Sequence, residues 1–138
     1  MRILGLDIGD KRIGVALSDP LGILASPLTI IERTSESADV EKIVGLINQH
    51  QVKEVIIGLP LSLSGLPGEQ AEKVHIFTNH LTQHTGIPLK MRDERLSTVS
   101  AKRLMRESRT KKTREKIPDD AFAAAVILQN YLEETGQS

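Results

Sequence analysis

The chain contains no cysteine. That excludes disulfides, thiolate metal sites and a cysteine nucleophile. It has no tryptophan, one tyrosine and two phenylalanines in 138 residues. The core is therefore expected to be aliphatic, and single-strand binding by a row of stacked aromatics is disfavoured. No apolar run approaches the roughly 20 residues of a membrane-spanning helix, so no membrane association is expected. Met1-Arg2-Ile3 enters a strand pattern directly, so no signal peptide and a cytoplasmic location are expected. The length suits one domain with one core over residues 1–138.

Excess charge is also absent, since the formal net charge is zero. The distribution is nevertheless uneven. Between Lys102 and Lys116, eight Lys and Arg residues face only Glu107 and Glu115, a local net of +6. From Ile117 to Ser138 there are four acids and no Lys or Arg. A neutral chain with one concentrated basic run can bind a polyanion locally. Arg109-Thr110-Lys111-Lys112-Thr113-Arg114 has no apolar periodicity, and a mobile basic loop is expected around 107–117.

Three strand-like stretches open the chain: Arg2 to Ile8, Arg12 to Ser18, and Ala25 to Glu32. Gly9-Asp10-Lys11 predicts a tight hairpin between the first two, and Asp19-Pro20-Leu21-Gly22 a second turn. After Ser37, the spacing of Val40, Ile43, Val44 and Ile47 predicts a helix. Val52 to Leu59 is a compact β-branched strand. A helix from about Glu69 to Gln83, a strand from Leu89 to Arg92 and a helix from Ser97 follow. Pro118-Asp119-Asp120 is a helix start, leading into an apolar helix from Ala121 to Glu134. The order β-β-β-α-β-α-β-α-α predicts an α/β fold with a five-stranded mixed sheet flanked by helices. Ligands in such sheets collect at the carboxyl ends of strands, near the switch point.

Acidic residues fall at that edge. Asp7 ends the first apolar strand, where an unpartnered carboxylate is costly to bury. The neighbouring glycines leave room for a ligand or for another backbone. Asp93 and Glu94 end the Leu89 strand, and Asp119 and Asp120 open the last helix. Carboxylates brought together repel unless a cation neutralises them, and Mg²⁺ prefers such oxygen ligands. Acids beside a basic run suggest phosphodiester hydrolysis without a side-chain nucleophile. The alternatives are a strand-end turn for Asp7 and simple helix capping for Asp119 and Asp120.

Four blocks carry a resemblance. They are Leu6-Asp7-Ile8-Gly9 with Arg12-Ile13-Gly14-Val15-Ala16, then Ile57-Gly58-Leu59-Pro60-Leu61, then Asp93-Glu94-Arg95-Leu96-Ser97-Thr98, then Asp120 through Gln129. In this order they resemble the YqgF/RuvX family, within the RuvC-like branch of the ribonuclease H fold. The resemblance implies a ribonuclease H-like sheet and a metal-dependent nuclease using Mg²⁺ or Mn²⁺. It also implies maturation of the 5′ end of pre-16S ribosomal RNA, with some members described as Holliday-junction resolvases. Carried over by position, Asp7, Glu94 and Asp120 are the catalytic, metal-binding acids. Asp93 stands as a supporting candidate, since neighbouring side chains on extended backbone point opposite ways, and Asp119 as another, since the family's acid directly precedes the small-residue helix as Asp120 does.

Lys11, Arg12 and Arg95, together with Arg109, Lys111, Lys112 and Arg114, are candidates for phosphate contact. Their alternative is a solvated surface. Four such contacts to a duplex would give a log–log salt slope of about −3.6. His80 and His84 are four apart, but no third ligand is evident, so surface histidines are expected. The expected partner is structured RNA, favoured over branched DNA, either free or within an immature small ribosomal subunit. The sequence shows no dimer seam, and the oligomeric state stays open. Competing classes are a DNA-junction resolvase, a non-catalytic ribosome-assembly binder, and a sugar kinase or actin-like ATPase. The last shares an Asp-x-Gly hairpin but needs two domains, which 138 residues do not supply.

Overall fold

A computed structural model describes residues 2–60, 68–93 and 119–135, with the side chain of Asp119 excluded. The elements are β1 (Arg2–Ile8), β2 (Arg12–Ser18), β3 (Ala25–Glu32), α1 (Glu36–Gln49), β4 (Val52–Leu59), α2 (Glu69–Thr82), β5 (Leu89–Asp93) and α3 (Asp119–Glu134). The expected helix from Ser97 and the expected loop around 107–117 lie outside the described residues.

The strands form one five-stranded sheet in the order β3-β2-β1-β4-β5. β1 pairs antiparallel with β2, and β2 with β3. β4 pairs parallel with both β1 and β5. The predicted hairpin turn is closed by Gly9 N–H donating to the Arg12 carbonyl at 2.9 Å. In the second turn, Asp19 Oδ1 accepts from Ile23 N–H at 2.7 Å and Leu24 N–H at 2.9 Å. These bonds hold the carboxyl of Asp19 below its ordinary pKa, the Leu24 N–H contributing most.

The central strands read as continuous apolar runs because both faces are covered. On one face Leu4, Leu6, Ile8, Val15 and Ile57 pack against Val40, Ile43 and Ile47 of α1 and Val74, Phe77 and Leu81 of α2. On the other, Ile3, Ala16, Ala25 and Ile56 pack against Ala124, Ala125, Leu128 and Leu132 of α3. Full burial of a leucine contributes about 1.5–3 kcal/mol relative to exposure. The core is aliphatic as expected, with one addition. Phe77, Phe122 and Tyr131 are all buried, so every aromatic residue of the chain joins the core. A small domain gains too much from burying these large rings to leave them in water.

α1 starts two residues earlier than the apolar spacing suggests. Ser35 caps it, its hydroxyl accepting from Ala38 N–H at 3.1 Å. α3 is fixed on the sheet at two points. Gln129, buried, accepts from Ala25 N–H at 2.8 Å and donates to the Ile23 carbonyl at 3.1 Å. The Tyr131 hydroxyl bonds Glu54 of β4 at 3.1 Å and lies 3.1 Å from Lys90 Nζ of β5. These polar pins hold the C-terminal half of α3 on β3, β4 and β5. Among the described residues, no helix is long and apolar enough to cross a membrane.

Candidate active site

The parallel strands β1, β4 and β5 place their carboxyl ends on one edge of the sheet. β1 is where the direction of chain progression reverses, since its other neighbour is the antiparallel β2. Asp7 stands at this edge, half-buried, as the Cα partner of Gly14. Opposed residues of an antiparallel pair project to the same face. Asp7 therefore shares a face with Gly14 and with Gly5, the face that carries α3.

Gly14 is where α3 lands. A Cβ built on Gly14 would sit 1.9 Å from the Asp120 carbonyl oxygen and 3.0 Å from Ala121 N. A Cβ on Gly5 would sit 2.9 Å from Leu128 Cβ. Of the two uses foreseen for the glycines, these two serve close approach of a helix, whose first turn meets β2 at Gly14. The result sets Asp120 beside the strand position paired with Asp7. Arg12, two residues before Gly14, pairs with Asp120, its Nε 3.1 Å from Oδ2. Both side chains of that pair are roughly half exposed.

The other sequence candidates divide as follows. Asp119 is the first residue of α3. Asp93 ends β5 opposite Leu59. Alternation sets it with Leu89 and Met91, which pack toward α1 and α2. Arg92 takes the α3 face instead, pairing with Glu134 and lying over the Tyr131 ring. Lys11 is exposed at the hairpin tip. Glu94, Arg95, Arg109, Lys111, Lys112 and Arg114 lie outside the described residues. Among the described residues no three His, Cys, Asp or Glu converge as a metal-binding group. His80 and His84 contact each other, their rings 5.0 Å apart, and His80 Nδ1 lies 2.8 Å from Glu36. His80 is thus a partly buried link between α2 and α1.

Sequence reasoning missed Arg33, Asp39 and Gln70. Arg33 reaches the Gly9 carbonyl at 3.0 Å, and Gln70 the Ile8 carbonyl at 3.4 Å. One signal was available. Asp39 lies four residues before Ile43, on the apolar phase of α1, where a charge requires a partner.

The sheet order and the helices on both faces define the class by fold: a ribonuclease H-like α/β domain. The fold matches that of Thermus thermophilus RuvC in complex with a Holliday junction substrate, with a TM-score of 0.64 at 12% identity, covering 99% of this chain and 98% of that one. A family model described as "RuvX: Holliday junction resolvase" matches residues 1–134. A Dehalococcoides mccartyi protein named "Putative pre-16S rRNA nuclease" is 52% identical over 128 residues, covering 93% of this chain and 95% of that protein. A Moorella thermoacetica protein of the same name is 45% identical over 138 residues, covering 100% and 99%. The chain belongs to the RuvX family and is a phosphodiester-hydrolysing enzyme whose partner is nucleic acid.

Proposed function

We propose that this chain cleaves structured RNA in maturing the 5′ end of pre-16S ribosomal RNA, with Asp7, Glu94 and Asp120 as its metal-holding acids. One observation supports joining Asp7 and Asp120 in one site: α3 is seated so tightly on Gly14 that Asp120 adjoins the strand partner of Asp7. The RNA substrate is supported by the names of relatives about half identical over nearly their whole length.

The donor set fits Mg²⁺ or Mn²⁺, being all carboxylate oxygen, and a cradle that a Cβ at Gly14 would fill brings two of its members near one another. Bound there, such a cation would neutralise the acids and polarise a phosphate. The chain's own residues do the rest. Asp7 stands on a strand buried on both sides, which fixes its backbone. Arg12 holds the Asp120 carboxylate and offsets its charge. Lys11 and Arg95, with Arg109, Lys111, Lys112 and Arg114, supply charge for the phosphate backbone without sequence information. No side-chain nucleophile is required. Residues 1–138 act as one domain in this proposal.

The family description favours a second substrate, a four-way DNA junction. Purified wild type and Asp7→Asn, tested on 5′-extended pre-16S RNA and on a four-way junction with Mg²⁺ or Mn²⁺, separate the two. RNA shortening by wild type alone is the expected result. Paired junction cuts would move the assignment to a resolvase. No cutting of either substrate, nor of an immature small ribosomal subunit, would leave a non-catalytic binder.

A further inference from the structure

Arg33 follows β3 directly and grips the turn between β1 and β2. Its backbone N–H donates to the Lys11 carbonyl at 2.9 Å. Its side-chain Nη1 donates to the Gly9 carbonyl at 3.0 Å. Nε donates to Asp39 Oδ2 at 3.1 Å, and Asp39 is 1% exposed. The other Asp39 oxygen accepts from Thr34 N–H at 3.2 Å. The guanidinium carbon lies 5.1 Å from the centre of the buried Phe77 ring. Arg33 is therefore held by a carboxylate and an aromatic face, and it delivers two donors to one turn.

A buried ion pair is a weak source of stability, because desolvation offsets the attraction. Where the remaining donors go is more informative. Gly9 is two residues beyond Asp7, and Lys11 is one residue before Arg12. The same turn is closed by Gly9 N–H on the Arg12 carbonyl at 2.9 Å. Only the planar, five-donor guanidinium can serve Asp39 and the Gly9 carbonyl at once from fixed directions; a lysine ammonium lacks that fork.

We infer that Arg33 is a positioning residue for the nuclease site. By holding the Gly9 and Lys11 carbonyls, it keeps the register that sets Asp7 opposite Gly14 and Arg12 on Asp120. Asp39 keeps the guanidinium aimed. This rests on the proposed role of Asp7 and Asp120 as metal-holding acids. Arg33 acts through the turn and contacts no substrate.

The test compares wild type, Arg33→Lys, Arg33→Ala and Asp39→Asn with Tyr131→Phe, a control that loosens α3 at the end remote from the site. Amide hydrogen exchange is read at Gly9 and Arg33. Mn²⁺ affinity is read from paramagnetic broadening at Ile8 and Gly14, melting by circular dichroism, and kcat and KM on 5′-extended pre-16S RNA. In Arg33→Lys, exchange at Gly9 and Arg33 should speed up while Leu6 stays protected. Mn²⁺ affinity or kcat should fall roughly 10- to 100-fold, the usual loss when a supporting contact behind a metal ligand is removed, with KM unchanged. Should Arg33→Ala fail to fold, Arg33→Lys and Asp39→Asn carry the comparison. The inference is overturned if Arg33→Lys loosens the turn yet keeps wild-type Mn²⁺ affinity and kcat. It is also overturned if Tyr131→Phe, at a similar melting temperature, loses as much, or if only KM changes. A wild type that binds Mn²⁺ but cuts nothing defeats the nuclease proposal alone, and affinity then decides for Arg33. A wild type that neither binds nor cuts overturns both.

Discussion

Gly14 and Asp120 occupy space that only a glycine allows them to share: a Cβ on Gly14 would stand 1.9 Å from the Asp120 carbonyl oxygen. Backbone cannot yield as a side-chain tip can, so α3 must move if Gly14 gains a methyl group. Gly14→Ala should cost about 1–3 kcal/mol or more, as overpacking does. It should also abolish cleavage by displacing Asp120. Gly45, inside α1, has nothing within 4 Å of its built Cβ. Gly45→Ala should stabilise by about 1 kcal/mol through helix propensity, raising the melting temperature by roughly 4 °C. Thermal melts of the two variants check both signs.

Arg12 and Asp120 separate stability from activity. Their pair is roughly half exposed, and such pairs contribute about 0–1 kcal/mol. Arg12→Ala should therefore melt within a few degrees of wild type while cleaving much more slowly, because the Asp120 carboxylate loses its partner. Melting and single-turnover cleavage on the same preparation test this. A large loss of stability with unchanged cleavage would contradict the role given to Arg12.

Metal linkage tests Asp7. If Mg²⁺ binds with a dissociation constant of about 1 mM and is supplied at about 10 mM, linkage gives about 1.4 kcal/mol of stabilisation. For a domain of this size the melting temperature should rise by roughly 4 °C. Asp7→Asn should lose most of that rise. An equal rise in the variant would remove Asp7 from the ligand set.

Asp19 predicts a pH effect far from the site. Its carboxyl is held below the ordinary value chiefly by the Leu24 N–H, with partial burial opposing and the Ile23 N–H assisting. A carboxyl with a depressed folded-state pKa stabilises the fold above its unfolded value of about 3.9. That stabilisation is lost as pH falls through the lower folded value. Asp19→Ala should melt lower than wild type at neutral pH, and the difference should shrink below about pH 4. Melting curves across pH 2–7 measure it, and a pH-independent difference would contradict the assignment.

The elements of this fold were legible because their periodicities are strong. β4 is a β-branched run bounded by turn residues. α1 repeats Val40, Ile43 and Ile47 on one face, and these are buried as that spacing requires. β1 is apolar at successive positions because α1 and α2 cover one side and α3 the other. The three-residue turn after Ile8 dictated a hairpin, and the helical crossovers dictated parallel pairing. These are local properties, encoded within a few neighbouring residues. The position of Asp7 near the end of β1 and of Asp93 at the end of β5 was legible in the same way.

Contacts between residues far apart in sequence were decided only by the tertiary structure. Nothing near Gly14 in the chain announces that the Asp120 backbone will rest on it. Gln129 and Ala25 are 104 residues apart, yet their bond fixes how α3 lies on β3. Nothing in the sequence singles out Arg33, and only the packing of α1 against the sheet brought the buried Asp39 to it. The sequence by itself determined which segments become strands and helices, and that acids stand at the strand ends, because side-chain pattern and turn chemistry act over short range. The tertiary structure alone decided which backbone needs which glycine and which arginine holds the Asp7 turn, because close packing acts between surfaces that meet only in the folded chain.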